Sequence, residues 1–161
     1  MGRVSRQCMF MDMARAASRR STCFRLNVGA LVVRKNNPVA VGWNGQEPGA
    51  PHCAGNECPG VIPGNCNTLH AEVNALKKAE VILLGRTRMG LDLYTTHSPC
   101  VDCASFIVNK RQTPVRRLFF EVPYRNTNHL AMLSRENIEV YEITPAGYIV
   151  EYFSRQVVEL P

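Results

Sequence analysis

The chain lacks long apolar stretches, is poor in aromatic residues and shows no internal repeat or low-complexity tract. No apolar run approaches the roughly 20 residues that a transmembrane helix needs, so membrane association is not expected. Phe, Trp and Tyr together make up 7% of the residues and form no interleaved run, which disfavours a stacking platform for single-stranded nucleic acid. No apolar core follows the N-terminal arginines, so no secretory signal is expected. We therefore expect a cytoplasmic protein.

What the chain does contain is enough sequence for one hydrophobic core, an excess of positive charge and many cysteines. Its 161 residues are expected to form a single domain, 1–161. The net charge is +6, with arginines concentrated near the N-terminus. That distribution fits nucleic-acid binding, a small phosphorylated substrate or a solvated helix face. Without an export signal, the seven cysteines are better explained by zinc than by disulfides.

The hydrophobic pattern predicts an α/β fold. Residues 5–20 have the apolar spacing of a helix, and residues 28–34 and 39–43 have the composition of a β-hairpin. From residue 91 to 143 the pattern alternates strand, helix, strand, helix, strand, which predicts parallel pairing with right-handed crossovers. The final segment, 148–160, is rich in β-formers and stays open between helix and strand.

Two short motifs carry the chemistry: HAE at residues 70–72 and PCVDC at residues 99–103. One imidazole and two thiolates suit Zn²⁺, and three protein ligands leave a fourth position for water, as in catalytic zinc sites. Glu72 lies beside the predicted ligand His70 and is placed to act as general acid and base. A structural histidine and a redox-active C-x-x-C pair are the alternatives. The combination is the signature of the zinc nucleobase deaminases, which favours the catalytic site.

Both motifs are predicted to lie at helix N-termini. Asn67 or Thr68 is expected to cap a helix that begins at His70. Ser98 is expected to cap a second helix, with Pro99 in its first turn. Exposed N–H groups and the positive dipole end at a helix start favour thiolate over thiol, which suits metal binding.

A Gly/Pro/Cys-rich insert of about residues 46–67 is too long and too polar for a plain turn. Together with Cys23, which precedes the first strand, the cysteines of this insert are enough for a second, Cys₄ zinc site. His52 is a substitute ligand if one cysteine is not used. The alternative is a set of small buried thiols. The cysteines of the insert are Cys53, Cys58 and Cys66.

Several stretches also match one known enzyme family. They are SRRSTCFRLNVGALVV, GWNG, HAEVNAL, SPCVDC and PYRNTNHLAML with IEV, and they cover about residues 5–143. Through them the chain resembles the deoxycytidylate (dCMP) deaminases of bacteria and phages, in the zinc cytidine-deaminase-like superfamily. The resemblance implies a three-layer α/β/α fold with a five-stranded mixed sheet. It also implies hydrolysis of dCMP to dUMP and ammonia, which supplies dTMP synthesis, with dCTP and 5-substituted dCMP left open as substrates.

The resemblance further implies roles for individual residues. Glu72 would be the proton shuttle. The ligands of the catalytic zinc would be His70, Cys100 and Cys103. The ligands of a second, structural zinc, as in the phage-like branch, would be Cys23, Cys53, Cys58 and Cys66. The substrate would be bound by Asn44 at the sugar, by Arg25 and more weakly Arg20 near the phosphate, and by Ala71 and Tyr124.

Some positions depart from the family pattern. Trp43 stands where the GYNG motif has tyrosine, and His97 precedes SPC where apolar residues are frequent. The GYNG region is associated with regulation in some relatives, so dCTP and dTTP, with Mg²⁺, are candidate allosteric effectors. Because relatives are commonly hexamers, a homo-oligomer is expected, hexameric or dimeric.

Two rival hypotheses remain open. The first is a deaminase that acts on a base in RNA or single-stranded DNA, similar to the tRNA adenosine deaminases. Asn74 in HAEVNAL argues for the dCMP branch instead, and nucleic acid is not the expected partner. The second is a non-enzymatic, zinc-stabilised module. The intact Glu72 argues against it, because a structural zinc has no use for a carboxylate beside it.

Overall fold

The computed structural model of the chain describes residues 3–53, 68–84 and 89–160. The helices of this part are α1 (Arg6–Ser18), α2 (Ala71–Ile82), α3 (Val101–Val108) and α4 (Leu130–Arg135). The strands are β1 (Gly29–Arg34), β2 (Asn37–Trp43), β3 (Leu91–His97), β4 (Val115–Val122), β5 (Glu139–Ile143) and β6 (Ile149–Glu151). None of the helices described is both long enough and apolar enough to cross a membrane.

The strands form one mixed sheet in the order β2-β1-β3-β4-β5-β6. β1 is antiparallel to both β2 and β3, whereas β3, β4 and β5 are mutually parallel, as the alternating pattern predicted. The expected strand number of five is wrong, because the sheet formed by the described residues already has six strands. The sixth is β6, from the segment left open in the sequence. It pairs antiparallel with β5 and buries Ile149 and Val150, which is how a short β-rich tail gains stability.

Helices cover both faces of the sheet, so the three-layer α/β/α arrangement is confirmed. On one face α1 packs Phe10, Met11 and Ala14 against the aromatic side chains of the sheet. The rings of Tyr94 and Phe119 stack there at a centroid distance of 4.4 Å. On the opposite face, apolar residues of α2, α3 and α4 share a second core with the sheet. Each face therefore buries its own hydrophobic cluster.

The elements that carry the two sequence motifs are held by close packing. Gly42 of β2 lies against the first turns of α2, where an added Cβ would be 2.3 Å from the carbonyl oxygen of Ala71 and 2.4 Å from the nitrogen of Ala75. Only glycine allows this approach, since any larger residue would push the helix off the sheet. On the other side of the site, the end of β3 delivers the chain directly to α3.

Candidate metal centre and substrate cavity

The two motifs begin α2 and α3, but not with the predicted caps. The N-cap of α2 is His70, with φ −76° and ψ 150°, and the N-cap of α3 is Cys100, with φ −75° and ψ 174°. Neither side chain makes a capping hydrogen bond. The predicted caps Thr68 and Ser98 are therefore wrong, since each lies two residues before the N-cap, and Asn67 lies outside the described residues.

The three predicted ligands of the catalytic zinc come together. His70 Nδ1 lies 3.2 Å from Cys103 Sγ and 3.3 Å from Cys100 Sγ. All three ligand atoms lie within 4.8 Å of one another. A tetrahedral zinc with typical Zn–N and Zn–S bonds places its nitrogen and sulfur ligands about 3.6 Å apart, so the observed group is close to a zinc ligand set. Imidazole and thiolate are also the donors that zinc prefers.

The two sulfurs differ in their surroundings. A hydrogen bond from Cys103, reinforced by one from His70, lowers the pKa of Cys100 to about 3 against the opposing effect of burial. The same sulfur–sulfur hydrogen bond and burial raise the pKa of Cys103. Cys103 is buried, whereas Cys100 is half-buried at the cavity. A cation bound between the sulfurs would stabilise both as thiolates, so metal binding is coupled to release of a proton here.

Glu72 lies in the first turn of α2 and is only 4% exposed. Burial raises its pKa from 4.5 to about 6, although the N–H group at the helix start and the charge of His70 oppose the shift. The carboxyl also shares a hydrogen bond with Cys103. A carboxyl whose pKa lies near neutrality can both accept and release a proton, as a general acid–base group must.

A cavity of about 390 Å³ opens above this group. Its size falls in the range of about 300–1,000 Å³ that is usual for small-molecule sites. The predicted site residues that line it are Cys23, Arg25, Asn44, His70, Ala71, Glu72, Cys100 and Tyr124. Arg20 is not among the lining residues. Its guanidinium lies instead over the ring of Trp43, 5.9 Å from the centroid.

The side chain of Asn44 is buried and already hydrogen-bonded. Its Oδ1 accepts from the Ser21 hydroxyl at 2.7 Å and from the Val28 N–H at 2.8 Å. Its Nδ2 donates to the carbonyl oxygen of Leu26 at 2.6 Å. These bonds fix the backbone on either side of Arg25, so Asn44 shapes the cavity wall even before any substrate contact. Within the described ranges Nδ2 has this one acceptor, so its second N–H is left for such a contact.

The cavity also includes residues that the motifs did not single out as site residues. Ser98 is one, and it joins the Cys100 loop to the opposite wall, because its N–H donates to the Val122 carbonyl and its Oγ accepts from the Tyr124 N–H, both at 2.8 Å. The sequence contains only weak indications of these additional cavity residues. His97 departs from the family pattern, and Arg125 directly follows the predicted site residue Tyr124. The full set of these residues is Leu26, Val28, Thr68, His97, Ser98, Pro123 and Arg125.

The predicted structural zinc site is described only in part. Cys23 is half-buried and lines the catalytic cavity. Cys53 is half-buried too, and Gln46 Nε2 lies 3.2 Å from its sulfur. Cys58 and Cys66 lie outside the described residues, and His52 is exposed. The second zinc therefore stays a prediction.

Comparison with known proteins agrees with this site. A family model described as the cytidine and deoxycytidylate deaminase zinc-binding region matches residues 4–120. ComE operon protein 2 of Bacillus subtilis is 34% identical over 157 residues, which cover 97% of this chain and 80% of that protein. The deoxycytidylate deaminase of Schizosaccharomyces pombe is 35% identical over 141 residues, which cover 81% of this chain but only 41% of that protein.

Solved structures show the same fold. The dCMP deaminase of cyanophage S-TIM5, in complex with dCMP and dUMP, superposes with a TM-score of 0.67 at 30% identity, covering 84% of this chain and 95% of that one.

Among the sequence relatives, a tRNA-specific adenosine deaminase from Buchnera aphidicola matches less of the chain, with 29% identity over 99 residues that cover 62% of this chain and 54% of that protein.

Proposed function

The chain belongs to the cytidine and deoxycytidylate deaminase family, and from this premise we propose that it hydrolyses dCMP to dUMP and ammonia. The observation that carries the proposal is the buried Glu72 beside the His70–Cys100–Cys103 group, at the base of a cavity large enough for a small ligand. The phage relative whose structure holds dCMP and dUMP supports the choice of substrate.

The chemistry requires a nucleophile and two proton transfers at the ring. His70, Cys100 and Cys103 would hold Zn²⁺, which would lower the pKa of a bound water to about 7 and so supply hydroxide at neutral pH. Glu72 accepts the proton of the attacking water and delivers it to N3 of the cytosine ring, which makes C4 electrophilic. After the oxygen has added to C4, Glu72 accepts the remaining proton of that oxygen and donates it to the amino group, so that the C4 carbonyl forms and ammonia leaves. The buried position of Glu72 keeps bulk water from these transfers.

The rest of the cavity suits a nucleotide. Arg25 and Arg125 line it together and supply positive charge for a 5′-phosphate. Asn44 offers its remaining amide N–H to the sugar. Ala71 and Tyr124 complete the walls around the base. These substrate contacts are part of the proposal.

The proposal extends to the second metal, the regulation and the assembly of the chain. We propose a second zinc held by Cys23, Cys53, Cys58 and Cys66, and dCTP and dTTP, with Mg²⁺, as effectors near Trp43. We also propose a homo-oligomer, hexameric or dimeric. Large apolar side chains near the end of α2 are exposed, Val81 by 74% and Leu84 by 73%, which supports an interface between copies. The cytoplasmic location stays a prediction.

The decisive experiment is ammonia release from a panel of dCMP, dCTP, CMP, deoxycytidine and a cytosine-containing oligonucleotide. We expect the highest kcat/KM with dCMP, because the phosphate contributes binding that deoxycytidine lacks. The variant Arg25→Ala should raise KM for dCMP more than it lowers kcat. Arg19→Ala, an exposed arginine at the end of α1, is the matched control and should behave like wild type.

Two results of this panel would contradict the proposal. Equal kcat/KM for dCMP and deoxycytidine would show that the 5′-phosphate does not contribute to substrate recognition. Preferential turnover of the oligonucleotide would support the alternative, a deaminase that acts on RNA or single-stranded DNA.

A further inference from the structure

His97 occupies a defined position in the cavity that neither the metal site nor the proton transfers use. It is the last residue of β3, it is half-buried, and it lines the cavity three residues before Cys100. Its carbonyl oxygen accepts a hydrogen bond from Thr95 Oγ1 at 3.0 Å, and its backbone pairs with Val122 of β4. The imidazole is thus carried by rigid backbone, and it lies outside the group of metal ligands.

A short chain of hydrogen bonds determines which ring nitrogen of His97 carries the proton. The N–H of Gly29 donates to Thr96 Oγ1 at 3.2 Å, and the same oxygen lies 3.1 Å from His97 Nδ1. Thr96 is only 5% exposed, so its hydroxyl proton needs an acceptor within the protein. Among the described residues, the acceptor within hydrogen-bond distance of that hydroxyl is His97 Nδ1. This arrangement favours donation from Thr96 to Nδ1, which places the proton of the neutral ring on Nε2.

The surroundings of the ring agree with a neutral donor. Burial lowers the pKa of His97 and so favours the neutral imidazole. Its Nδ1 edge is held by Thr96, which leaves the Nε2–H edge for the cavity. A fixed tautomer matters because a donor that is already oriented loses little entropy when it binds a ligand.

We propose that His97 is a substrate-binding residue whose Nε2–H donates to an oxygen of the bound nucleotide, and that Thr96 is the positioning residue that fixes this tautomer. The inference rests on the proposed function for the identity of the ligand. Two oxygens offer the same acceptor chemistry, the carbonyl oxygen of the pyrimidine ring and an oxygen of the phosphate. Comparison of dCMP with deoxycytidine separates them, because only the first compound carries the phosphate.

The kinetic test uses two substitutions of His97. His97→Leu removes the donor, whereas His97→Gln can present an amide N–H close to the position of Nε2. We expect His97→Leu to raise KM for dCMP by about 3- to 10-fold, the range expected for one hydrogen bond, with little change in kcat. His97→Gln should recover most of the loss. A phosphate contact would make the effect larger for dCMP than for deoxycytidine, and a ring contact would make the two effects equal.

The second test observes the ring directly. Nitrogen-15 NMR of histidine-labelled protein, with the His97 signals assigned from His97→Gln, should show the Nε2–H tautomer in the wild type. Addition of dUMP should shift the Nε2 resonance and leave Nδ1 nearly unchanged. In Thr96→Val the tautomer should become mixed, and KM should rise although His97 is intact.

Several outcomes would overturn the inference. They are a protonated Nδ1 in the wild type, an Nε2 signal that does not respond to dUMP, and a His97→Gln variant as impaired as His97→Leu at equal zinc content and melting temperature. The last result would assign His97 a packing role. A wild-type protein inactive on dCMP would instead refute the proposed function, and the titration with dUMP would still decide whether His97 binds a nucleotide.

Discussion

Glu72 performs the proton transfers of the proposed reaction, and its replacement separates them from metal binding. Glu72→Gln keeps the size of the buried side chain and leaves His70, Cys100 and Cys103 unchanged. We expect turnover of dCMP to fall by at least about 10³-fold. General acid–base catalysis typically contributes about 10²- to 10⁴-fold, which sets the scale of this loss. Ammonia release should be measured on protein whose zinc content, from elemental analysis, equals that of the wild type.

Asp102 provides the matched control for this variant. It is a carboxylate in the first turn of α3, between the two cysteine ligands, but its side chain is exposed. Asp102→Asn should therefore retain nearly all of the activity. Near-normal turnover by a fully metallated Glu72→Gln protein would refute the role of Glu72 as the proton shuttle.

At the scale of single residues, the sequence predicted local chemistry better than long-range bonding. The sequence predicted that His70, Cys100 and Cys103 come together, because the types and spacings of zinc ligands are set by the metal, and the catalytic role of Glu72 stays a prediction. The structural role of Asn44 could not be predicted, because its hydrogen-bond partners Ser21 and Val28 lie 23 and 16 residues away in the sequence. The tautomer of His97 likewise depends on Gly29, which is 67 residues from Thr96.

At the scale of the elements, the strands and helices of the core were predicted, whereas the helix caps were not. Capping rules consider only the helix itself, and by those rules Ser98 is a better cap than cysteine. Here Cys100 takes the cap position and directs its sulfur toward His70, which belongs to another helix start 30 residues away. A ligand set assembled from two helices therefore overrides the local preference.

The pairing of β3 with β4 includes an ion pair whose loss should lower the free energy of unfolding. The guanidinium of Arg117 forms a bidentate ion pair with Asp92. Its Nε donates to Oδ1 at 2.7 Å and its Nη2 donates to Oδ2 at 2.5 Å. The two side chains are only 16% and 9% exposed. We expect Asp92→Ala to lower the free energy of unfolding by about 3 kcal/mol, because it leaves a largely buried charge without its partner. Urea denaturation at constant m-value measures this change.

An exposed ion pair one residue away serves as the control. Arg116 lies 3.8 Å from Glu139, and these side chains are 62% and 43% exposed. Arg116→Ala should change the free energy of unfolding by less than about 0.5 kcal/mol. If both variants lost the same stability, burial could not be the reason for the effect at Asp92.

At the scale of the whole molecule, the C-terminal segment shows why a local pattern was not sufficient. β6 has three residues, too few for a periodicity that separates strand from helix. Its conformation depends on packing: the ring of Tyr152 meets Phe120 edge-on at 5.3 Å, and Val158 and Leu160 return to the α1 side of the sheet. The assignment of residues 1–161 to a single domain stays a prediction.

The metal content of the molecule is a further prediction. We expect two zinc ions per chain, because the catalytic site uses only two of the seven cysteines. Cys58→Ser should reduce the content to one and lower the melting temperature, since structural zinc contributes about 10–16 kcal/mol of apparent binding energy in zinc-finger peptides. Elemental analysis of purified protein measures the stoichiometry.

Cys8 supplies the control for the zinc count, since it is half-buried on α1 and belongs to neither predicted site. Cys8→Ser should keep two zinc ions. One zinc per chain in the wild type, with Cys58→Ser also at one, would show that the cysteines of the insert hold no metal.

The outer strands of the sheet restrict how copies of the chain can associate. β2 contains Pro38, which lacks an N–H donor, and its pairing with β1 shifts register between Val32 and Val33. At the opposite end, β6 is only three residues long. Short strands, prolines and irregular pairing are the features by which proteins prevent edge-to-edge β-addition. An oligomer of this chain is therefore expected to bury helix and loop surfaces between copies. Each sheet would then remain separate, so that assembly does not use the strand edges through which β-aggregation proceeds.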